Sequence, residues 1–151
     1  MNKPAPIAEP VPQTIKSRGQ SRLRVRYCEC DPMGVAHHSS YVAWLEIGRT
    51  ELLRDCGVTY AQLEQSGTFL VIVKLDLRYR RPVKYDDLVE VRTHWIGGSR
   101  IKIEHSYEVV VVERGGAGVE EVAAAGSTTL ACVDGTGKVR ELPEWLVTAR
   151  E

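Results

Sequence analysis

A carboxylate lies just ahead of the strongest helical pattern in this sequence, in the segment Cys30-Asp31-Pro32-Met33-Gly34. Proline fixes φ and has no backbone donor, and glycine permits turns that other residues disfavour, so we expect Asp31 to lie in a loop. Asp-Pro is also common turn chemistry, and the simplest role for Asp31 is to cap this turn. A chemical role for Asp31 therefore requires partners nearby.

The residues that follow, His37-His38-Ser39-Ser40, lead into the helical pattern and supply such partners. The first turn of a helix has unpaired N–H groups and carries the positive end of the helix dipole, which together stabilise negative charge on a carbonyl oxygen. Acyl transfer needs such amides beside a carboxylate that attacks the carbonyl or takes a proton from attacking water. We therefore expect Asp31 and His38 to be the catalytic pair, with packing at the helix start as the alternative role for His38.

Other chemistries find less support in the sequence. There is no G-x-S-x-G, no P-loop pattern and no G-x-G-x-x-G. Cys28 and Cys30, with His37 and His38, offer four potential zinc ligands, two thiols and two imidazoles. Their spacing is C-x-C rather than C-x₂₋₄-C and no second ligand pair follows, so zinc binding is the weaker interpretation.

One long helix is predicted to position Asp31. Its N-cap is Ser39 or Ser40, and Cys56-Gly57 ends it, so it spans about residues 40–55. A shorter helical or irregular piece is expected near residues 60–65. The apolar stripe of the long helix consists of Tyr41, Trp44, Leu45, Gly48 and Leu52.

Alternating apolar residues predict five strands around this helix. The first is indicated by Leu23, Val25 and Tyr27, and the others span about residues 69–79, 89–95, 101–111 and 119–133. Gly97-Gly98-Ser99 is suited to a hairpin turn. One helix followed by an antiparallel sheet is an α+β pattern. Such a sheet leaves one face uncovered, including Val110, Val112 and Ala125, which favours an oligomer.

The composition restricts the class of protein. A chain of 151 residues, 43% hydrophobic, can bury the core of one domain. Twenty basic against 20 acidic residues give no net charge, which disfavours nucleic acid as a partner. No apolar run is long enough for a membrane span. We expect residues 1–20 to be a disordered Pro-rich tail and residues 21–151 to be the domain. Four sparse cysteines without an export signal favour the cytoplasm.

The segment Tyr27–Glu46, with its core D-P-x-G-x-x-x-x-x-x-Y-x-x-W, resembles the signature of the hotdog-fold acyl-CoA thioesterases. It is similar to the 4-hydroxybenzoyl-CoA thioesterase family, including the Tol-Pal-associated branch. The resemblance continues through Arg49–Arg54 and, more loosely, through Tyr79–Asp87 to the last strand. It implies a hotdog fold, which is a five-stranded antiparallel sheet wrapped around one long helix.

The resemblance also implies an activity, namely hydrolysis of an acyl-CoA without metal or organic cofactor. The sites would lie at the interface of a dimer, which usually pairs again into a tetramer. Asp31 matches the catalytic aspartate, and His38 matches the position whose amide polarises the thioester carbonyl; histidine there favours the Tol-Pal-associated branch. We expect further substrate contacts from the surrounding and basic residues, which are Gly34, Val35, Ser39, Tyr41, Glu46 and Arg100. The alternative function is a hotdog module that binds acyl-CoA or a protein without turnover.

Overall fold

The computed structural model describes residue 5 and residues 7–148, apart from the Thr148 side chain. The ends of the predicted tail and of the predicted domain, residues 1–4, 6 and 149–151, lie outside the described residues. The elements in chain order are β1 (Arg18–Arg24), α1 (Ser40–Asp55), α2 (Tyr60–Gln65), β2 (Phe69–Tyr79), β3 (Leu88–Gly98), β4 (Lys102–Arg114), β5 (Ala117–Val133) and α3 (Glu144–Thr148).

The five strands form one antiparallel sheet in the order β1-β3-β4-β5-β2. Helix α1 packs mainly against β1, β3 and β4. The sheet therefore curves around one long helix, and the predicted α+β architecture is confirmed. No helix within residues 7–148 is both long and apolar enough to cross a membrane.

Helix α1 buries the predicted stripe because its apolar residues recur every three to four positions. Trp44 and Leu45 are fully buried and pack with valines of β3 and β4. At Gly48 the helix lies so close to β3 that an added Cβ would come 2.8 Å from Cγ1 of Val91. The last helical residue is Asp55, and Cys56 is the C-cap. Gly57 follows with φ +88°, so the helix stops where the Cys56-Gly57 pair predicted its end.

The N-terminal strand differs from the prediction. It begins at Arg18, three residues before the predicted domain boundary, and ends at Arg24. The chain then leaves the sheet. The Val25 N–H donates to the carbonyl of Asp87, which lies in the turn before β3 and not in a strand. Tyr27 lies in a short 3₁₀ turn and is 82% exposed, although its alternation with Leu23 and Val25 indicated a strand.

The described part of the predicted tail contacts the domain near the end of α1. The Gln13 N–H donates to the Cys56 carbonyl at 2.9 Å, and the Lys16 N–H lies 3.3 Å from the Cys56 Sγ. The Ser17 carbonyl accepts from the Trp95 N–H at 2.8 Å. Residues 13–17 are therefore tied to the helix and to the sheet.

Two expectations about the sheet were wrong. Gly97 and Gly98 belong to β3, and the turn that follows is closed by the Ser99 N–H, which donates to the Lys102 carbonyl at 2.9 Å. Val110 is fully buried rather than exposed. It is paired with Glu90, which binds two arginines on that face, and arginine stems cover apolar surface. Exposed apolar side chains of the sheet include Ile96 on β3 and Val119 on β5, but the largest group lies on the edge strand β2: Val71, Ile72, Val73 and Leu75.

Candidate active site

Asp31 lies in a tight turn between β1 and α1. Its N–H donates to the Val35 carbonyl at 2.9 Å, and its carbonyl accepts from the Gly34 N–H at 3.0 Å. Gly34 has φ +79°, a left-handed conformation that favours glycine. One carboxylate oxygen, Oδ1, accepts from the Met33 N–H at 2.9 Å. The turn-capping role is therefore real, and it occupies one of the two carboxylate oxygens.

A second turn, residues 82–87, is hydrogen-bonded to the Asp31 turn and holds it in place. The Ala36 N–H donates to the Val83 carbonyl at 2.7 Å, and the Tyr85 N–H donates to the Gly34 carbonyl at 3.2 Å. Asp87, which is 1% exposed, holds this support in place. It accepts from Nε and NH2 of Arg114 at 2.9 and 2.7 Å, a bidentate pair that fixes both side chains.

The start of α1 is organised by His37 and not by a capping hydrogen bond from a serine side chain. Ser39 occupies the N-cap position without a capping hydrogen bond from its side chain, and its Oγ lies 2.8 Å from Nδ1 of His37. The Ser40 hydroxyl donates to the Glu29 carbonyl at 2.8 Å. Ser39 is therefore the N-cap residue, as expected, but the capping hydrogen bond expected from its side chain is absent. Among the described residues, none accepts a hydrogen bond from the His38 N–H, at the positive end of the helix.

Asp31 and His38 line the same open cleft, which has a volume of about 350 Å³. Its wall also contains Tyr41, one of the predicted substrate contacts. Burial raises the pKa of Tyr41, although a hydrogen bond with the Val83 backbone opposes the shift. The complete lining is Asp31, Ala36, His38, Tyr41, Tyr79, Arg80, Arg81 and Pro82.

Tyr79 is a cleft residue that the sequence reasoning missed. Its hydroxyl donates to the His38 carbonyl at 2.8 Å, and its ring meets Tyr41 edge-on with centroids 4.9 Å apart. Partial burial raises the pKa of Tyr79. Tyr79 was assigned only as the end of a strand. Its position directly before Arg80-Arg81-Pro82, where the strand leaves the sheet, was the signal available.

Two arginines form the basic rim of this cleft. The N–H groups of Arg80 and Arg81 both donate to the Ala123 carbonyl, at 2.8 and 3.1 Å, so the backbone fixes where their side chains begin. Both residues are exposed. Among the described carboxylates, none forms an ion pair with either guanidinium. The rim is therefore available to an anionic group.

The other predicted substrate contacts are more scattered. Gly34 lines an adjoining hollow of about 310 Å³ that also contains Asp31, Tyr27 and Tyr85. Val35 and Ser39 belong to the supporting loop. Within one chain, Glu46 and Arg100 do not line the cleft.

Glu46 and Arg100 have partners of their own. Glu46 projects from α1 with its side chain 67% exposed, 3.5 Å from NH2 of Arg49. Arg100 lies in the turn that joins β3 to β4, at the other end of β3 from the turn at residues 82–87, and pairs with Glu141 at 3.3 Å. Neither residue is brought to Asp31 by the fold of a single chain.

The proposed zinc ligands do not converge. Over the part of the chain that the structure describes, no group of three or more His, Cys, Asp or Glu side chains is arranged to hold a metal ion. His37 and His38 do lie side by side, with ring centroids 4.0 Å apart, but the cysteines do not complete a metal site with them. Cys28 is exposed and forms no disulfide.

The cleft thus combines a carboxylate, a helix-start amide and two cations. A carbonyl group that accepts a hydrogen bond from the amide gains stabilisation as its oxygen becomes negative. A carboxylate at the same cleft supplies a nucleophile or a base. These groups suit acyl transfer to water from a substrate that carries negative charge elsewhere.

Comparison with known proteins identifies relatives that are named as thioesterases. Bacillus subtilis (strain 168) YneP is 36% identical over 77 residues, 51% of this chain and 55% of YneP. The acyl-CoA thioester hydrolase YbgC of Escherichia coli O6:H1 is 37% identical over 71 residues, 47% of this chain and 53% of YbgC. These alignments span about half the length of either relative.

The fold is also shared with a solved enzyme structure. The DHNA-CoA thioesterase from Staphylococcus aureus superposes with a TM-score of 0.75 at 29% identity, covering 85% of this chain and 83% of that chain. A model of the thioesterase-like superfamily matches residues 25–149, which include the whole cleft. The chain therefore belongs to the thioesterase-like superfamily and has its hotdog fold.

Proposed function

We propose that this protein is a thioester hydrolase that converts an acyl-CoA to the free acid and CoA. The observation that carries the proposal is the shared cleft of Asp31 and His38, at the start of the one long helix. YbgC, named an acyl-CoA thioester hydrolase, and the Staphylococcus aureus enzyme, named a DHNA-CoA thioesterase, support the substrate class. The histidine at position 38 favours the Tol-Pal-associated branch of the 4-hydroxybenzoyl-CoA thioesterase family.

In this mechanism the oxygen of the thioester carbonyl accepts a hydrogen bond from the His38 N–H. Asp31 approaches the carbonyl carbon from the opposite side. Asp31 either attacks the carbonyl carbon, forming an anhydride that water then hydrolyses, or takes a proton from a water that attacks directly. In both routes the C–S bond breaks, and the CoA thiolate leaves and is protonated. Arg80 and Arg81 are the candidates to meet the phosphates of CoA at the rim.

We propose that the active unit is a dimer. Strand β2 is 11 residues long and, among the described strands, pairs only with β5, so its outer edge presents backbone donors and acceptors to a partner. Four apolar side chains of β2 are exposed: Val71, Ile72, Val73 and Leu75. A second copy pairing along this edge would cover them and extend the sheet. Such dimers would pair again into a tetramer, as the resemblance implies.

A dimer also accounts for the predicted residues that one chain leaves apart. The exposed flank of α1 that contains Glu46 lies outside the cleft of its own chain. In a dimer, Glu46 and Arg100 are available to the site of the other copy. We place the protein in the cytoplasm, which agrees with four cysteines that are all free.

The test is thiol release from a panel of acyl-CoAs, from short to long chains with benzoyl- and 4-hydroxybenzoyl-CoA, for the wild type and Asp31→Asn. We expect at least one substrate to be hydrolysed, and kcat to fall by about 100-fold or more in Asp31→Asn, since positioned bases contribute about 10²–10⁴. Asp55→Asn, an exposed residue at the end of α1, is the matched control and should retain full activity.

The alternatives give different results in the same assay. Full turnover by Asp31→Asn would mean that another group performs the chemistry. No turnover with any acyl-CoA, together with saturable binding that Asp31→Asn retains, would instead support the non-catalytic acyl-CoA-binding module.

A further inference from the structure

Glu29 is a buried carboxylate two residues before Asp31, and the chemistry proposed above does not use it. It is 8% exposed. Its Oε1 accepts from the Arg26 N–H at 2.8 Å, and its Oε2 accepts from the Trp44 indole N–H at 2.7 Å. Burial alone would raise the pKa of Glu29, but the hydrogen bonds from Arg26 and Trp44 outweigh it and lower the pKa. Glu29 is therefore an ionised, fully bonded group inside the protein.

The hydrogen bonds of Glu29 connect the two halves of the candidate site. Trp44 is on α1 and is fully buried. The backbone carbonyl of Glu29 accepts two more bonds from the same end of the helix, from the His37 N–H and the Ser40 hydroxyl, both at 2.8 Å. Three groups from the helix and its approach thus converge on one residue. That residue is joined to Asp31 through Cys30 alone.

The relative placement of Asp31 and the His38 amide depends on this junction. The turn at residues 82–87 holds the far side of the Asp31 loop, through Val83 and Tyr85. Only the Glu29 junction ties the near side of the loop directly to α1 among the described hydrogen bonds. Acyl transfer requires the carboxylate and the amide to meet one carbonyl group from two sides, and displacement of about 1 Å can cost about 100-fold in rate.

From these contacts we infer that Glu29 is a positioning residue, which sets the distance between the Asp31 carboxylate and the start of α1 through its hydrogen bond with Trp44. The inference rests on the proposed thioesterase function. It adds a residue that acts on the rate through Asp31 without touching the substrate.

Glu29→Gln is the direct test, because both carboxylate oxygens of Glu29 accept hydrogen bonds. A glutamine must turn its NH₂ group towards one of the two donors, so one bond is lost, together with the ion pair to the Arg26 guanidinium 3.3 Å away, without a change in size. We expect kcat to fall by about 10- to 100-fold with KM changed less than about threefold, since the binding groups of the cleft remain. Trp44→Phe removes the donor and should reproduce the same split between kcat and KM.

Each variant has a matched control in this chain. Glu90 is also a buried carboxylate, 3% exposed, and both of its oxygens accept from arginines, Arg22 at 2.9 Å and Arg92 at 2.8 Å. It lies on the sheet face away from α1, so Glu90→Gln should lower the melting temperature and leave kcat unchanged. Trp95 is 4% exposed and its indole N–H has no partner among the described residues, so Trp95→Phe repeats the change in volume without losing a bond.

Three outcomes of this experiment are decisive. The inference is supported if kcat falls only in Glu29→Gln and Trp44→Phe, and if Glu29→Gln costs nothing further in the Asp31→Asn background. If the wild type is active and Glu29→Gln loses no more kcat than Glu90→Gln at equal folded fraction, Glu29 is purely structural and the inference is wrong. A wild type inactive on every thioester overturns the proposed function itself, and the role of Glu29 with it.

Discussion

At the scale of single residues, two carboxylates close in sequence have opposite environments. Glu29 is buried with both oxygens bonded, whereas Asp31 is half-buried with one oxygen bonded to the Met33 N–H. A carboxylate whose bonds are all satisfied is a poor nucleophile, because attack would break those bonds. Burial and hydrogen bonding thus distinguish Glu29 from Asp31, the carboxylate that we propose reacts.

A buried histidine allows a prediction about pH. His105 is 4% exposed, and burial together with the positive charge of Arg49 lowers its pKa from 6.5 to about 3. The unfolded chain therefore takes up this proton first, so the contribution of His105 to stability is complete above pH 6.5 and is lost as the pH falls towards 3. By pH 5 the loss is about 2 kcal/mol.

Urea unfolding at pH 7 and pH 5 measures this effect. His105→Phe cannot take up the proton, so we expect its free energy of unfolding to fall by about 2 kcal/mol less than that of the wild type over this interval. The interval from pH 8 to pH 7 is the control, because His105 is mostly neutral there in both the folded and the unfolded chain, so the wild type and His105→Phe should change alike. Equal slopes for wild type and His105→Phe would show that His105 is protonated in the folded protein.

The sequence identified the main residues of the cleft and missed those that depend on pairing across the sheet. Asp31 and His38 could be found because a loop carboxylate and a helix start are local features. Tyr79 joins them because β2 ends beside α1; the Arg80-Arg81-Pro82 segment marks the end of the strand but does not show which element lies beside it. Arg100 was selected for its charge alone. The fold places it in the turn between β3 and β4, at the other end of β3 from residues 82–87.

At the scale of elements, the helix was predicted better than the first strand. The range 40–55 is confirmed as Ser40–Asp55. The helical spacing of apolar residues extends over these 16 residues, and the glycine that follows indicates the same end point. The first strand was displaced because Leu23, Val25 and Tyr27 alternate beyond the point where Val25 bonds to the turn at Asp87. Strand ends are set by partners distant in sequence, and alternation carries no information about them.

The close contact between α1 and the sheet leads to a prediction at Gly48. An added Cβ would meet Oγ1 of Thr93 and lie 2.8 Å from Cγ1 of Val91. Alanine favours helix by about 1 kcal/mol over glycine, but overpacking costs about 1–3 kcal/mol. We expect Gly48→Ala to be destabilising overall, with a lower melting temperature in calorimetry.

Gly118 provides the matched control for this substitution. A Cβ added at Gly118 has no atom within 4 Å, and the residue is exposed on β5. Gly118→Ala should change the free energy of unfolding by less than about 0.5 kcal/mol. A Gly48→Ala variant as stable as Gly118→Ala would mean that the helix shifts away from β3 without cost.

At the scale of the whole molecule, the exposed surface is uneven. The outer face of the sheet carries ion pairs, including Arg22–Glu90 and Arg92–Glu120, which suit contact with water. The edge strand β2 carries apolar side chains and an unpaired backbone edge. Long apolar edges promote uncontrolled association unless they are covered, which supports our proposal that β2 binds a specific partner.

The last prediction tests whether that partner is a second copy. Val71 and Val73 are 42% and 52% exposed on β2, and Val71→Lys/Val73→Lys would bring four like charges together along a shared edge. We expect sedimentation equilibrium to give a dimer or tetramer for the wild type and a monomer for this variant. Circular dichroism should show a retained fold. Thioester hydrolysis should fall by about 10-fold or more, because the other copy no longer contributes the residues that we propose it adds to the cleft.

The same two changes at unrelated valines separate association from added charge. Val119 and Val139 are 38% and 62% exposed and lie outside β2, so Val119→Lys/Val139→Lys should keep both the oligomer and the activity. A fully active monomer would show that one chain completes the site and would remove the reason to assign Glu46 and Arg100 to it. Because a site shared between copies requires assembly for turnover, mass and kcat should fall together only when the charges are on β2.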